Sequence, residues 1–424
     1  MPGETIPGKL GIGATLRLGW RNLRRNRRRT WITAITVSIA VLLLHAFTAL
    51  MFGIEQQSFD NLVNYQTGHA KLYAEGYFEK RDELPLDYVL TGLEDLQVAV
   101  RSVDGVAATT PRLTFSAQVS DGADQIPCLG VGIELSGTDT DVFRMPQALV
   151  DGDFLQPGEE GVLLGSGLAE LFEVTTGDWL TFLTKTRAGA YEALDLPIVG
   201  LLGTGNPLID LNSFLLSMET ARYMLDMEGT ATEVAVRFSP MARESATLRR
   251  LEEAVSAVPG VEVKGWQEME ADFMALVQAK RFGQRIMLGI LVALALVGIT
   301  NTILMAAYER TREIGMLMAM GLRGAGVRRL FLAEGALIGL LGGAVGTVVA
   351  VVIIGYFAAN GIDLQAIYGD IDIGYPVREL LYPAVKLEVI TLSWLVTGVL
   401  AALASFYPAA RASRQRPVEA LRHV

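Results

Sequence analysis

A chain of 424 residues that is 51% hydrophobic, with a positive mean hydropathy, is expected to sit in a membrane and still has room for one water-soluble domain. Its single cysteine, Cys128, excludes a disulfide framework and a cysteine-rich metal site. The three histidines, His45, His69 and His423, stand too far apart in sequence to suggest a histidine-based metal or nucleophile site.

In chain order, residues 1–29 form a basic start, with residues 12–29 reading as an amphipathic helix: Leu16, Trp20 and Leu23 lie on one side among Arg17, Arg21, Arg24 and Arg25. An interfacial anchor is the plain reading, and contact with a cytoplasmic partner the sharper one. Residues 30–54 carry no Asp, Glu, Lys or Arg and exceed the roughly 20 residues a helix needs to cross a hydrocarbon core. The segment is too long for the apolar core of a cleaved signal, so it reads as an uncleaved anchor and first span. Residues 286–308, 331–362 and 389–410 supply three more spans, uncharged apart from Glu334 at the edge of the third. Glu334 is expected to snorkel or pair near Arg328 and Arg329, and His45 to make a polar contact within the bundle.

The charge distribution gives a topology. Residues 1–29, 309–330 and 411–424 together hold 17 basic and 4 acidic residues, against 19 and 42 in the remainder. The positive-inside rule puts those three segments, and so both termini, in the cytoplasm. It puts residues 55–285 and a short loop, 363–388, outside.

The outer segment reads as α+β with helical stalks. Strands are expected over 107–120, 125–133, 177–184, 194–202, 232–238 and 261–263, and helices over 217–227 and 245–258. The stretch 161–172 should pass from strand through glycines into helix. Residues 64–105 and 205–268 are expected to flank a β-rich centre. Residues 55–63 and 269–285 continue helical patterns beyond their spans, so Phe59, Val63, Phe273 and Leu276 become candidate contacts for a substrate. In the third span Gly335, Gly339 and Gly343, with the offset pair Gly342 and Gly346, have the small-xxx-small spacing that lets helices approach closely.

Between the second and third spans lies ERTREIGMLMAMGLR, residues 309–323. Ile314, Leu317, Met318 and Gly321 follow helical spacing, and Glu309, Arg310, Thr311, Arg312, Glu313 and Gly315 complete the candidate contact segment. No GxxxxGK[ST] phosphate loop, GxGxxG fingerprint or GxSxG elbow occurs. The spans also lack the several buried charges of a proton-driven pump. The chain therefore reads as non-catalytic, with no cofactor of its own and no feature calling for nucleic acid. Any energy source must be another subunit, docking where this segment lies.

The stretch YERTREIGMLMAMGLRGAGVRRLFLAEG (308–335), the entry pattern LRLGWRNLRRNRRRTW (16–31) and the tail YPAARASRQRPVEALRHV (407–424) resemble the FtsX/MacB-like, or type VII, ABC transporter permeases. The outer stretch GHAKLYAEGYF (68–78) and the size of its domain look most like the lipoprotein-releasing LolC/LolE branch. The resemblance implies an inner-membrane permease that binds a cytoplasmic ABC ATPase dimer through 309–323, the ATP being held by that partner. Glu309, Arg310, Arg312 and Glu313 would make charged contacts, and Ile314, Leu317 and Met318 would fill a groove. It further implies a second permease copy or homologue, contact with membrane lipid, a lipoprotein substrate and a periplasmic carrier. The alternatives are a mechanotransmitting activator or scaffold of a periplasmic hydrolase, and an exporter of a small amphipathic compound or peptide.

Overall fold

The computed structural model describes residues 11–25, 27–363, 380–385 and 387–414. The tail beyond 414 and most of the expected 363–388 loop lie outside the described residues. Helix α1 (Ile12–Arg25) is followed by α2 (Arg27–Asn61), which continues past its apolar part into a π-helical turn, Leu62–Thr67.

An α+β domain comes next. Its elements are β1 (Ala70–Ala74), α3 (Leu93–Arg101), β2 (Val106–Ser120), β3 (Gln125–Ile133), α4 (Thr138–Val142), β4 (Leu149–Gly152), β5 (Val162–Gly165), α5 (Ser166–Phe172), β6 (Trp179–Lys185), β7 (Tyr191–Leu202), α6 (Pro207–Asp210), β8 (Ser213–Ser217), α7 (Met218–Leu225), β9 (Glu233–Phe238), α8 (Glu244–Val255), β10 (Val261–Gly265) and α9 (Trp266–Met269). The chain then returns to long helices: α10 (Ala271–Glu309), the short α11 (Thr311–Ala319), α12 (Gly324–Asn360), α13 (Leu387–Ala404) and α14 (Phe406–Ala412). Among the described residues four helical segments are long and apolar enough to cross a membrane: Thr30–Thr67, Ala271–Glu309, Gly324–Asn360 and Leu387–Ala412. The chain divides into two units near residues 53 and 277.

In the α+β unit all ten strands form one sheet, in the order β10-β1-β9-β2-β3-β8-β5-β7-β4, with β6 pairing both β2 and β7. The β6 pairings close β2, β3, β8, β5, β7 and β6 into a ring, which removes free edges from that part of the sheet. Along β2 every second residue, Leu113, Phe115, Ala117 and Val119, is buried in one core, as the two-residue strand period requires. Phe182 and Phe214 pack there with ring centroids 4.5 Å apart, and a Cβ on Gly130 would run into the Phe115 ring. The other half of β2 pairs with β9, beside which β1 and β10 carry a second core closed by α3 and α8, including Leu72, Leu96, Val100, Val236 and Leu251.

β2 thus serves both cores, and the expected flank at 205–268 is corrected. β8 and α7 belong with the closed ring because β8 pairs with β3 and β5 and α7 packs into the same core. Only from Ala231, just before β9, does the chain rejoin the second core.

In the helical unit the third-span glycines divide between two neighbours. A Cβ on Gly339 would lie 2.5 Å from Ala401 Cβ and 3.0 Å from Thr397 O, and Gly335 and Gly343 likewise face Ser405 and Trp394. A Cβ on Gly342 would lie 2.7 Å from Ala34 O, and Gly346 abuts the Ser38 backbone. One glycine row therefore seats α12 on α13 and its C-terminal flank, and the other seats it on α2. Two side-chain bonds accompany this packing: Ser38 Oγ donates to Gly342 O at 2.8 Å, and Trp394 Nε1 donates to Leu340 O at 2.9 Å.

The fourth span breaks at Ser405 because Pro408 cannot donate to the carbonyl of Ala404. Thr300 Oγ1 donates to that carbonyl at 3.1 Å. His45 Nε2 lies 3.3 Å from Ser393 Oγ, a polar contact between α2 and α13.

Candidate coupling interface

The segment 309–323 is helical only over α11. Arg310 interrupts the path from α10, and a glycine turn ends α11. Gly321 has a φ of +98°, Gly321 N donates to Met318 O and Leu322 N to Leu317 O, each at 3.0 Å. These two bonds satisfy carbonyls that the helix end would otherwise leave open. Gly321 therefore lies beyond the helix, which corrects its expected place on the helical face.

The apolar face also points differently from expectation. Ile314 is only 5% exposed and packs in a core that includes Leu23, Val327, Phe331, Ala409 and Ala412, with Met318 half-buried against it. Ile314 cannot fill a groove on another protein while it holds this position. Gly315 is buried beside it. The exposed side carries Arg312, Met316, Leu317 and Met320, with Glu309 also exposed. Arg312, Met316 and Met320 follow one another at four-residue spacing, a stripe that sequence reasoning missed because it assigned the more regular apolar row to the partner.

The charged residues divide in the same way. Arg310 is 7% and Glu334 5% exposed. Arg310 Nη1 donates to the two Glu334 carboxylate oxygens at 3.2 and 3.4 Å, and Arg310 Nη2 donates to Asn22 O at 3.5 Å. Asn22 Nδ2 donates to Glu334 Oε1 at 2.6 Å. Glu334 thus takes Arg310 and Asn22 as partners instead of Arg328 and Arg329, and Arg328 reaches Ser413 Oγ at 3.4 Å. Glu313 pairs with Arg25 of α1 at a largely solvated position, and Thr311 Oγ1 donates back to Tyr308 O at 2.8 Å. Of the four charged residues expected to contact a partner, Arg310 is committed inside the chain and Glu313 is paired to α1.

Helix α1 is the element whose role the sequence concealed. Its buried residues are Thr15, Gly19 and Leu23, with Asn22 half-buried between them, while Leu16 and Trp20 are exposed. A Cβ on Gly19 would sit 3.4 Å from Leu337 Cδ1 and 3.6 Å from Glu334 Cγ, so α1 lies directly on α12. A glycine and an asparagine among apolar neighbours were the available signal, but a search for large apolar residues groups the exposed Leu16 and Trp20 with Leu23, which alone of the three is buried.

The stalk residues meet mainly one another. Phe59 lies 5.2 Å from the Trp266 ring and 6.1 Å from the Phe273 ring, and Val63 joins the same cluster. Leu276 is exposed. Gln66 Nε2 donates to Glu270 Oε1 at 3.0 Å, and Gln66 Oε1 accepts from Asn206 Nδ2 at 2.9 Å. The π-helical turn after α2 is thereby tied to the residue just before α10. Burial pushes the Glu270 carboxyl above its ordinary range, opposed by the charges of Lys71 and Arg81. Burial, assisted by the Arg237 charge, holds the His69 imidazole down to about 4. His69 Nδ1 accepts from Phe238 N at 3.3 Å, which suits a neutral ring. Within the helical unit an apolar cavity of about 170 Å³ opens among Val41, Leu44, Leu296, Ile299, Val396 and Leu400.

Four helices long and apolar enough to cross a membrane, with an α+β domain inserted after the first and a short helix between the second and third, are the architecture of a multi-pass membrane protein with one folded domain outside the spans. Residues 30–254, just over half the chain, match the MacB-like periplasmic core domain, and residues 285–417 match the FtsX-like permease C-terminal family. The chain belongs to the FtsX/MacB-like ABC transporter permeases. It is 26% identical to the lipoprotein-releasing system transmembrane protein LolC of Neisseria meningitidis over 96% of this chain and 98% of that protein. It is 27% identical to LolC of Xylella fastidiosa over the same shares. To the macrolide export ATP-binding/permease protein MacB of Shewanella oneidensis it is 35% identical, over 30% of this chain and 16% of that protein.

Proposed function

We propose that this chain is the permease subunit of a lipoprotein-releasing ABC transporter in the inner membrane, with both termini in the cytoplasm and ATP hydrolysed by a separate ATPase dimer. The observation that carries the reading is the end-to-end similarity to LolC proteins, which spans the helical unit and the α+β domain alike. The exposed Arg312–Met316–Met320 stripe is the docking face for the ATPase, its arginine suited to acidic groups and its methionines to an apolar groove. Closure of the ATPase moves α11, and α10 carries the motion toward the α+β domain. The domain then passes a lipidated protein to a periplasmic carrier, working beside a second permease copy or a homologue. The apolar cavity among α2, α10 and α13 has the chemistry to receive acyl chain.

The test is photocrosslinking from Leu276 in intact membranes, with affinity capture of the chain. The reading expects a stand-alone ATPase to co-purify and lipidated proteins to crosslink. Capture of a soluble periplasmic hydrolase alone, or of an adaptor with an outer-membrane channel, would overturn it.

A further inference from the structure

We propose that α1 and the coupling helix α11 move as a single body, locked by Glu334, so that the basic entry helix is part of the element that receives force from the ATPase. This rests on the docking reading above for the source of the force, but the lock itself is a property of this chain.

A carboxylate and a guanidinium withdrawn from water are costly unless each satisfies the other and the remaining valences find partners. Glu334 meets that condition by drawing on two elements besides its own helix, α12. Arg310 comes from the junction of α10 and α11, and Asn22 from α1. Arg310 returns a bond to the Asn22 backbone, which makes the arrangement a closed triangle. Separating α1 from α12 breaks the 2.6 Å Asn22 bond to the carboxylate, and shifting α11 strains the Arg310 pair.

Three further contacts act in the same sense. Gly19 brings the α1 backbone against Glu334 and Leu337. Leu23 of α1 and Ile314 of α11 share one buried core. The Arg25–Glu313 pair adds a solvated link directly between the two helices. Meanwhile Leu16 and Trp20 of α1 stay exposed, an amphipathic fringe suited to the membrane interface. A force on α11 is therefore delivered to α1 and the lipid surface as well as to α10. Glu334 acts as a positioning residue.

The experiment places spin labels at Arg21→Cys and Ala319→Cys in the full chain in nanodiscs and measures the distance between them. Cys128 is buried and leaves the introduced sites to react. Two variants release the lock without stranding a buried charge: Asn22→Leu, and the double neutral replacement Arg310→Met with Glu334→Gln. A hydrogen bond to a charged group sets an expected shift of about tenfold toward the undocked arrangement in Asn22→Leu.

The chain alone should show one narrow distance in the wild type and a second, longer population in both variants. With the co-purified ATPase trapped by vanadate, the wild-type distance should stay unchanged. A wild-type distance that changes on trapping, or variants with the wild-type distribution, would overturn the lock. Failure of any ATPase to co-purify would overturn the docking reading while the measurement on the chain alone still decides the lock.

Discussion

Replacing Gly339 by alanine should damage the protein, whereas the same replacement at Gly355 in the same helix should not. At Gly339 the new methyl would lie 2.5 Å from Ala401 Cβ, 3.0 Å from Thr397 O and 3.1 Å from Gly398 Cα. Two of these three neighbours are backbone atoms, which cannot turn aside. Ordinary carbon contacts lie at about 3.5–4.0 Å, so α12 and α13 must part by about 1 Å, loosening contacts on either side. Overpacking of this kind costs about 1–3 kcal/mol. Gly355 has nothing within 4 Å, so its alanine variant keeps only the helix-propensity gain of up to about 1 kcal/mol. The propensity gain is common to both, so the two variants should differ by about 2 kcal/mol, roughly thirtyfold in the folded-to-unfolded ratio. Equilibrium unfolding of the purified chains in mixed detergent micelles measures the difference. Equal stability, or a more stable Gly339→Ala, would refute the packing argument.

Asp139→Ala should destabilise the α+β domain by about 3–5 kcal/mol, because it strands a buried arginine. Arg112 now donates to both Asp139 oxygens at 2.8 and 2.9 Å, with its guanidinium carbon 3.4 Å from the Phe143 ring centroid; the denaturation midpoint reads the loss. The His69 imidazole is held down to about 4 in the folded chain, below its ordinary value, so the unfolded chain binds the proton first. Its stabilising contribution is present at neutral pH and is lost as pH falls from about 6.5 toward about 4, and His69→Gln should flatten that part of the stability curve. Glu270 acts with the opposite sign: its raised carboxyl is a penalty at neutral pH that is relieved on acidification, so Glu270→Gln should be relatively more stabilising at pH 7 than at pH 4 in the same titration. Met316→Asp should lower ATPase co-purification with chain stability unchanged, whereas Ile314→Ala should lower chain stability itself by about 2–5 kcal/mol, read as a lower unfolding midpoint.

What could be read from the sequence was local. β2, β3 and β9 show in their β-branched composition and alternation, and the four spans in uninterrupted apolar length. The glycine rows of the third span were visible because both use the four-residue helical spacing, though the sequence did not say which neighbour each row meets. β1, β4 and β8 were not assigned from the sequence, and the ring closes through β6, whose partners β2 and β7 are pairings that periodicity does not specify. The helix within 309–323 is legible in the sequence, but its orientation is not. Helical spacing identifies an apolar face without saying whether the chain or a partner covers it. The bonds joining Asn22, Arg310 and Glu334 span about three hundred residues in two of their three links, beyond the reach of any local pattern.

Everything proposed for the cytoplasmic side depends on where the energy source docks. A photoreactive amino acid at Met316, activated in native membranes and followed by mass spectrometry of the adducts, addresses this. The expected result is an adduct with a separate ATP-binding subunit, abolished when Arg312 or Met320 is replaced by aspartate. Adducts with lipid alone, while an ATPase still co-purifies and Met316→Asp leaves its association unchanged, would contradict it.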